Sequence, residues 1–432
     1  MPPPTTAETT ADIPADAPAP ASPTLVGRYH EVRDLTEELA APLGPEDQTV
    51  QTMPDVSPTK WHRAHTTWFF ETFVLQPHRG GYQPFHEAFG YLFNSYYETV
   101  GARHTRADRG QITRPTASEV GSYREAVDRS MAATLSSDIG EAVHELVTLG
   151  LHHEQQHQEL LLMDIKHVLS CNPLRPAYLA HDPQRAADPG PLRWLDRPGG
   201  IVAVGHDGDG FAYDNEGPRH DTLLRPHRLA DRLVTNGEWQ EFVADGGYQR
   251  PELWLSDGWA EVQAGGWEAP LYWEQVGDAW HEFTLAGRHE VDPHRPVVHV
   301  SHYEADAFAR WAGARLPTEQ EWEAAVAAQP FVEPTFSAAG PHPRGAEGAV
   351  GPLRQAFGEV WQWTASAYVG FPGYTPPPGA VGEYNGKFMS GQVVLRGSSC
   401  ATPPGHARAT YRNFFPPRAR WAFSGVRLAA DA

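Results

Sequence analysis

The 432-residue sequence predicts a multidomain protein of mixed α and α+β class, in which a four-helix bundle precedes a loop-rich α+β half. Apolar residues recur at helical spacing from Leu25 to about Cys171, and the pattern stops at a proline-rich stretch. From Gly200 onward, short apolar runs lie among many Gly, Pro and Trp residues, as brief strands joined by long loops do. The 22 histidines and 14 tryptophans point to a metal site and an aromatic-lined pocket.

The elements follow in order. Residues 1–24 are Pro, Ala and Thr with scattered acids, carry no positive charge before Arg28 and have no apolar stretch, so they read as a disordered tail. No signal or transit peptide is expected, and a cytoplasmic location follows. The bundle is expected over 25–171. Its first helix covers Arg28 to Leu43. Ser57-Pro58 opens the second with a cap and a first-turn proline, and Trp61, His65, Trp68, Phe69 and Phe73 share one face. The third runs from Thr116 to Leu135. The fourth, Ile139 to Leu169, carries Val143, Leu146, Val147, Leu151, Leu161, Ile165 and Val168. Such bundles build metal sites from facing helices. Residues 172–199, with Pro173, Pro176, Pro183, Pro189, Pro191 and Pro198, form a linker or wrapping segment. In 200–432, Ile201 to Val204, Val393 to Leu395 and Gly425 to Leu428 read as strands, and Thr235 to Val243 and Tyr303 to Trp311 as helices.

Charge and cysteine count exclude several classes. The formal net charge of −20 argues against nucleic-acid or anionic-membrane partners, which need clustered Lys and Arg. Only Cys171 and Cys400 are present, too few for a disulfide scaffold or a four-thiolate zinc site. No apolar run approaches the ~18 residues of a membrane span.

The sharpest motif is His153-Glu154-Gln155-Gln156-His157 within the fourth helix. Histidines at i and i+4 stack on one face, so both imidazoles reach one ion. A solvated histidine-rich face is the bland alternative, but Leu146, Gly150, Leu160 and Leu161 surround this one. The zinc-protease signature H-E-x-x-H has the same letters. Its metzincin extension needs glycine at 160 and histidine at 163, where this chain has Leu160 and Met163, and no glutamate lies between Glu159 and Glu216. A third ligand must come from elsewhere: His65 beside Trp61, Trp68 and Phe69; His62 one turn earlier if the helix is rotated; or Asp164 as the carboxylate of a two-His-one-carboxylate site. Spacing leaves these open.

Trp61-x-x-x-His65 with His153-Glu-Gln-Gln-His157, and then "LVTNGEWQEFV" (Leu233 to Val243), "ARLPTEQEWEAA" (Ala314 to Ala325), "GEVWQWTAS" (Gly358 to Ser366), "VLRGSSC" (Val394 to Cys400) and "RNFFPPRARWAFSGVRLA" (Arg412 to Ala429), resemble the ergothioneine-biosynthesis sulfoxide synthases. The resemblance covers nearly everything from Leu25 onward. It implies a DinB-like bundle followed by a formylglycine-generating-enzyme-like domain of C-type-lectin-like fold. The implied activity is that of an oxygenase dependent on Fe(II) and O2. It joins the sulfur of cysteine or γ-glutamylcysteine to C2 of Nα-trimethylhistidine (hercynine) and oxidises that sulfur to a sulfoxide.

By the same resemblance His65, His153 and His157 match the iron ligands and Gln156 the glutamine that holds the substrate imidazole. Tyr96 and Tyr97 in "LFNSYYE" are the candidate proton donors, and a similar tandem in the cysteine-using branch favours that branch. Asn413, Phe414 and Phe415 fall where the family holds the trimethylammonium and carboxylate; the family often has tryptophan there. The thiol substrate's carboxylate needs a basic partner: Arg103, Arg106 or Arg109 in "GARHTRADRG", or Arg412 or Arg420.

Three other readings compete. An ovothiol-type synthase, joining cysteine to C5 of histidine, usually carries an additional methyltransferase domain. A formylglycine-generating enzyme needs a cysteine pair, and only Cys400 lies in the second half. A non-catalytic lectin-like module would hold no stoichiometric iron.

Overall fold

The computed structural model describes residues 24–181, 184–334, 336–338, 340–346 and 351–432. The expected tail lies outside the described residues but for Thr24. That residue caps α1 (Leu25–Ala40), its side chain accepting from the Gly27 amide, so the helix begins nearly a turn before the expected Arg28. Helix α2 (Thr59–Phe69) is buried at every position and runs on through a π-helical turn, Phe70–Leu75. Its start departs from expectation. Pro58 is the N-cap rather than the first-turn residue, and the Ser57 hydroxyl accepts from Arg109 instead of capping. Helix α3 (Ala117–Leu135) starts on a Thr116–Glu119 capping box. Helix α4 (Gly140–Cys171) spans 32 residues.

These four helices pack on one another, with α4 against α1 and α2 and α3 against α2. Close approach of α2 to α4 depends on Gly150, where a Cβ would lie 2.6 Å from Phe70 Cε1 and 2.8 Å from Phe69 Cε1. The contact falls one turn before His153, so it sets how near His65 comes. Among the described residues, no helix is long and apolar enough to cross a membrane.

The second half mixes small sheets with short helices. Its central sheet orders Asn413–Phe415, Val393–Gly397, Trp361–Ala367 and Ser424–Gly425, the last strand parallel to its neighbour and the rest antiparallel. Trp194–Arg197, inside the proline-rich stretch, pairs with His227–Ala230, which also pairs with Ala429–Asp431. The run Gly425 to Leu428 is therefore not one strand. It passes between two sheets, its Val426 and Leu428 carbonyls accepting from the Val234 and Ala230 amides. Helices Asn236–Ala244, His302–Trp311 and Glu319–Ala327 each start on a capping box, whereas Ser256–Gly265 does not. Periodicity points to neither Ser256–Gly265 nor Glu319–Ala327. Trp239, Phe242, Phe308 and Trp363 lie in the core beneath them.

Helix α4 joins the halves. Glu159 accepts from Trp361 Nε1 (2.6 Å), Ser399 Oγ (2.5 Å) and Thr402 Oγ1 (2.9 Å), and Lys166 Nζ sits 2.6 Å from His299 Nε2. On its other side Glu154 is clamped by Arg33 (2.8 Å), Arg124 (3.0 Å) and Thr36 Oγ1 (2.6 Å), and the two guanidiniums hold its carboxyl at about 2 despite complete burial. Glu154→Ala takes from two buried guanidiniums their fully buried carboxylate, leaving Arg33 with Asp128 and Arg124 with Glu37, and we expect it to cost about 3 kcal/mol in urea unfolding. A loss under about 1 kcal/mol, typical of an exposed pair, would refute the clamp.

Candidate metal centre

His65 and His153 bring their Nε2 atoms to 3.2 Å, and His157 completes the group; the three donor atoms lie within 4.8 Å of one another. Each ring is oriented from behind. His65 Nδ1 is 2.6 Å from the Phe93 carbonyl, an acceptor only, so Nδ1 carries the proton and Nε2 presents its lone pair. Trp61 and Trp68 stack on its two faces at 4.6 and 5.5 Å. His157 is set by a longer chain. Asp164 Oδ2 accepts from His62 Nε2 at 3.0 Å, so His62 Nδ1 is an acceptor and takes the proton of His157 Nδ1 at 2.9 Å. That leaves His157 Nε2 free. The third ring, His153, has a buried Nδ1 with no partner.

Burial first, then neighbouring rings, hold His65 and His157 well below the ordinary histidine range, and burial takes His153 down to about 4. All three are neutral near pH 7, the form that ligates metal. Two imidazole lone pairs fixed by their hydrogen bonds, with a third neutral ring beside them, suit a divalent cation with positions left open for ligands.

His62 and Asp164, weighed as ligands, are neither; they face the back of His157, because His62 meets its Nδ1 edge and Asp164 is engaged by His62 and the Ser57 amide. Glu154 is no general base: one residue on from His153 it points about 100° round the helix, into the Arg33–Arg124 clamp.

The three histidines open on a cavity of about 270 Å³ walled by both halves of the chain. Tyr96, Tyr97, Arg106, Gln156, Asn413, Phe414 and Phe415 all line it. Tyr96 Oη accepts from Arg106 Nη1 (2.6 Å), and burial raises the Tyr97 hydroxyl above its ordinary range. Phe414 stacks on Tyr368 at 4.1 Å. Arg103 does not line the cavity. It is partly exposed and pairs with Glu98 at 2.9 Å, since the loop turns it toward solvent. Arg109 does line it, its guanidinium 3.3 Å over the Trp61 ring, and Nε of both Arg106 and Arg109 is buried without a partner. Arg412 borders the cavity but is neutralised by Glu319, and Arg420 is away from it, paired with Glu304.

Sequence reasoning missed Tyr384, Phe388 and Tyr411, which also line the cavity, the first two packed against Tyr96. Tyr384 lies in the four-residue helix Glu383–Gly386 and Phe388 just beyond it, a stretch too short to show periodicity, so nothing marked them. Tyr411 directly precedes the quoted Arg412 segment.

Removing the acceptor behind His62 releases the His157 tautomer. We expect Asp164→Ala to weaken metal binding about 10–100-fold in a chelator-competition titration, and unchanged affinity would dismiss the chain as an orienting device.

Residues 194–347 and 346–432 match the family described as sulfatase-modifying factor enzyme 1-like domain. A hercynine oxygenase of Mycolicibacterium smegmatis is 33% identical over 413 residues, covering 88% of this chain and 92% of that protein. One of Mycobacterium tuberculosis is 34% identical, with 88% and 92% covered. A formylglycine-generating enzyme of Streptomyces coelicolor is 36% identical over 170 residues, 35% of this chain and 54% of its own. Of these three, the first two match along 88% of this chain and 92% of their own length, and by that similarity the chain belongs to the hercynine oxygenase family of enzymes.

Proposed function

We propose that the chain uses iron(II) and dioxygen to join the sulfur of cysteine or γ-glutamylcysteine to C2 of hercynine and to oxidise that sulfur to a sulfoxide, in ergothioneine biosynthesis. The observation that carries the reading is the set of three neutral imidazoles, two with Nε2 freed by their hydrogen bonds, at one end of a cavity with aromatic and guanidinium walls. Iron(II) bound by His65, His153 and His157 would supply dioxygen reduction and the oxidising power that bond formation at an imidazole carbon requires.

The chain's own residues do the rest. Gln156, i+3 from His153, directs its amide into the cavity and holds the hercynine imidazole. Phe414 and Phe415 give the trimethylammonium an aromatic, desolvated surface, and Asn413 a polar contact for its carboxylate. Arg106, with Arg109 beside it, meets the carboxylate of the thiol substrate; an unpartnered buried Nε on each supports this, and Arg103 is left out. Tyr97 stays protonated because burial disfavours the phenolate, and it or Tyr96 donates a proton beside the bound substrates. Small substrates follow from the cavity's size. We read 25–171 as a DinB-like bundle and 200–432 as a C-type-lectin-like, formylglycine-generating-enzyme-like domain, joined by 172–199, in a cytoplasmic enzyme.

His153→Ala and His157→Ala are expected to remove stoichiometric iron and all C–S product, measured by metal analysis and mass spectrometry of anaerobically loaded protein given oxygen. Turnover with iron retained would overturn the ligand assignment. Of Tyr96→Phe and Tyr97→Phe, one should divert flux to oxidation of the thiol alone, and product ratios unchanged in both would remove the proton-donor role. A higher kcat/KM for cysteine than for γ-glutamylcysteine is expected, and the reverse order would reassign the branch.

A further inference from the structure

Gln156 is one residue before His157, and its amide is held at the wall of the metal cavity by a residue of the C-terminal half. Nε2 donates to Tyr411 Oη at 2.7 Å. Tyr411 belongs to the C-terminal half, and its ring lies edge-on to Trp361 at 5.2 Å with the Arg408 guanidinium 4.6 Å from its centre. The same hydroxyl is 3.3 Å from His406 Nε2, and His406 Nδ1 is 3.1 Å from His152 Nδ1. His152 in turn stacks on Phe211, with 3.8 Å between centroids and 8° between planes. The string His152–His406–Tyr411–Gln156 thus leads from a second, larger cavity of about 1260 Å³, which His152 lines, to the metal cavity; Gln156 borders both.

Hydrogen-bond polarity runs one way along such a string. A phenol has one hydrogen. When Tyr411 accepts from Gln156, its hydrogen goes to His406 Nε2, and His406 carries its own proton on Nδ1, facing His152 Nδ1. Arg28 Nη2, 3.5 Å from His152 Nε2, is too distant to impose the opposite direction. With one Nε2 hydrogen given to Tyr411, the end of the Gln156 amide that has no partner is the carbonyl Oε1, an acceptor.

We propose that Tyr411, backed by His406 and His152, is a positioning residue that locks the Gln156 amide with its carbonyl toward the metal cavity, so that the site reads an imidazole through a ring N–H. The inference rests on the hercynine reading above. It makes the C-terminal half a determinant of recognition by a glutamine of the N-terminal helices, and an imidazole methylated on the facing nitrogen is rejected.

Calorimetric titration of the iron-loaded enzyme with hercynine tests it. Tyr411→Phe keeps the ring and removes the hydroxyl, and is expected to weaken hercynine binding up to about tenfold. Iron content and the KM for the thiol stay unchanged, a split that general loosening of the fold would not give. In a Gln156→Ala background Tyr411→Phe has no further effect. His406→Ala weakens binding as well, and His406→Gln, which can still accept from the phenol, recovers part of the loss. An unchanged Kd in Tyr411→Phe, or additive losses with Gln156→Ala, overturns the inference. Failure of the wild-type holoenzyme to bind hercynine would instead overturn the parent reading and this one with it.

Discussion

Eight consecutive polar residues, His152 to Glu159, run through the interior of the protein on one helix, and the structure around them is arranged to satisfy that run. A buried polar side chain without a partner costs several times what a hydrogen bond contributes net. Each of the eight has a partner: His152 meets His406, His153 meets His65, and Glu154 takes Arg33 and Arg124. Gln155 donates to the Pro404 carbonyl, Gln156 to Tyr411, and His157 faces His62. Gln158 donates to the Val32 carbonyl, and Glu159 accepts from Trp361, Ser399 and Thr402. Because an α-helix turns 100° per residue, the partners must come from all sides. This is why α4 is enclosed by α1, α2 and α3 on one flank and by the second half of the chain on the other.

The same geometry divides the run by function. Positions 153 and 157 share a face, and there they gather with His65 so that three imidazole nitrogens lie within 4.8 Å of one another, a grouping that could hold a metal ion. Positions 154 and 158 point to α1, and the buried ion pairs there hold α4 in register. Positions 155, 156 and 159 point to the C-terminal half. Glu154 shows how little a motif's letters say by themselves: it stands where a zinc protease has its base, yet two arginines keep it ionised and away from the metal face.

The cavity therefore belongs to neither half. Histidines and Gln156 come from the bundle helices, whereas Tyr384 comes from a four-residue helix, Tyr411 from a loop and Phe414 and Phe415 from a short strand, all far along the chain, with 255 residues between Gln156 and Tyr411. Orienting groups are supplied across the junction too, since Trp361, Ser399 and Thr402 grip the helix at Glu159, less than one turn beyond His157. A ligand bound there senses the packing of both halves at once.

What the sequence determined by itself was the periodic part: four long helices with limits near those observed, the i, i+4 histidine pair, and the ordered motifs that carry the family resemblance. Those features are local, because helical spacing and side-chain chemistry need no partner to be read. Only the tertiary structure brought His65, and not His62 or Asp164, together with His153 and His157, since that depends on how each side chain is turned, which the Phe93 carbonyl sets for His65 and Asp164 for His62 from positions far apart in the chain. It likewise turned Arg103 outward and Arg106 inward within one loop, and brought in Tyr384, Phe388 and Tyr411 from segments with no periodic signal. Directions of side chains on irregular backbone are fixed by packing against distant residues, which no spacing along the chain records.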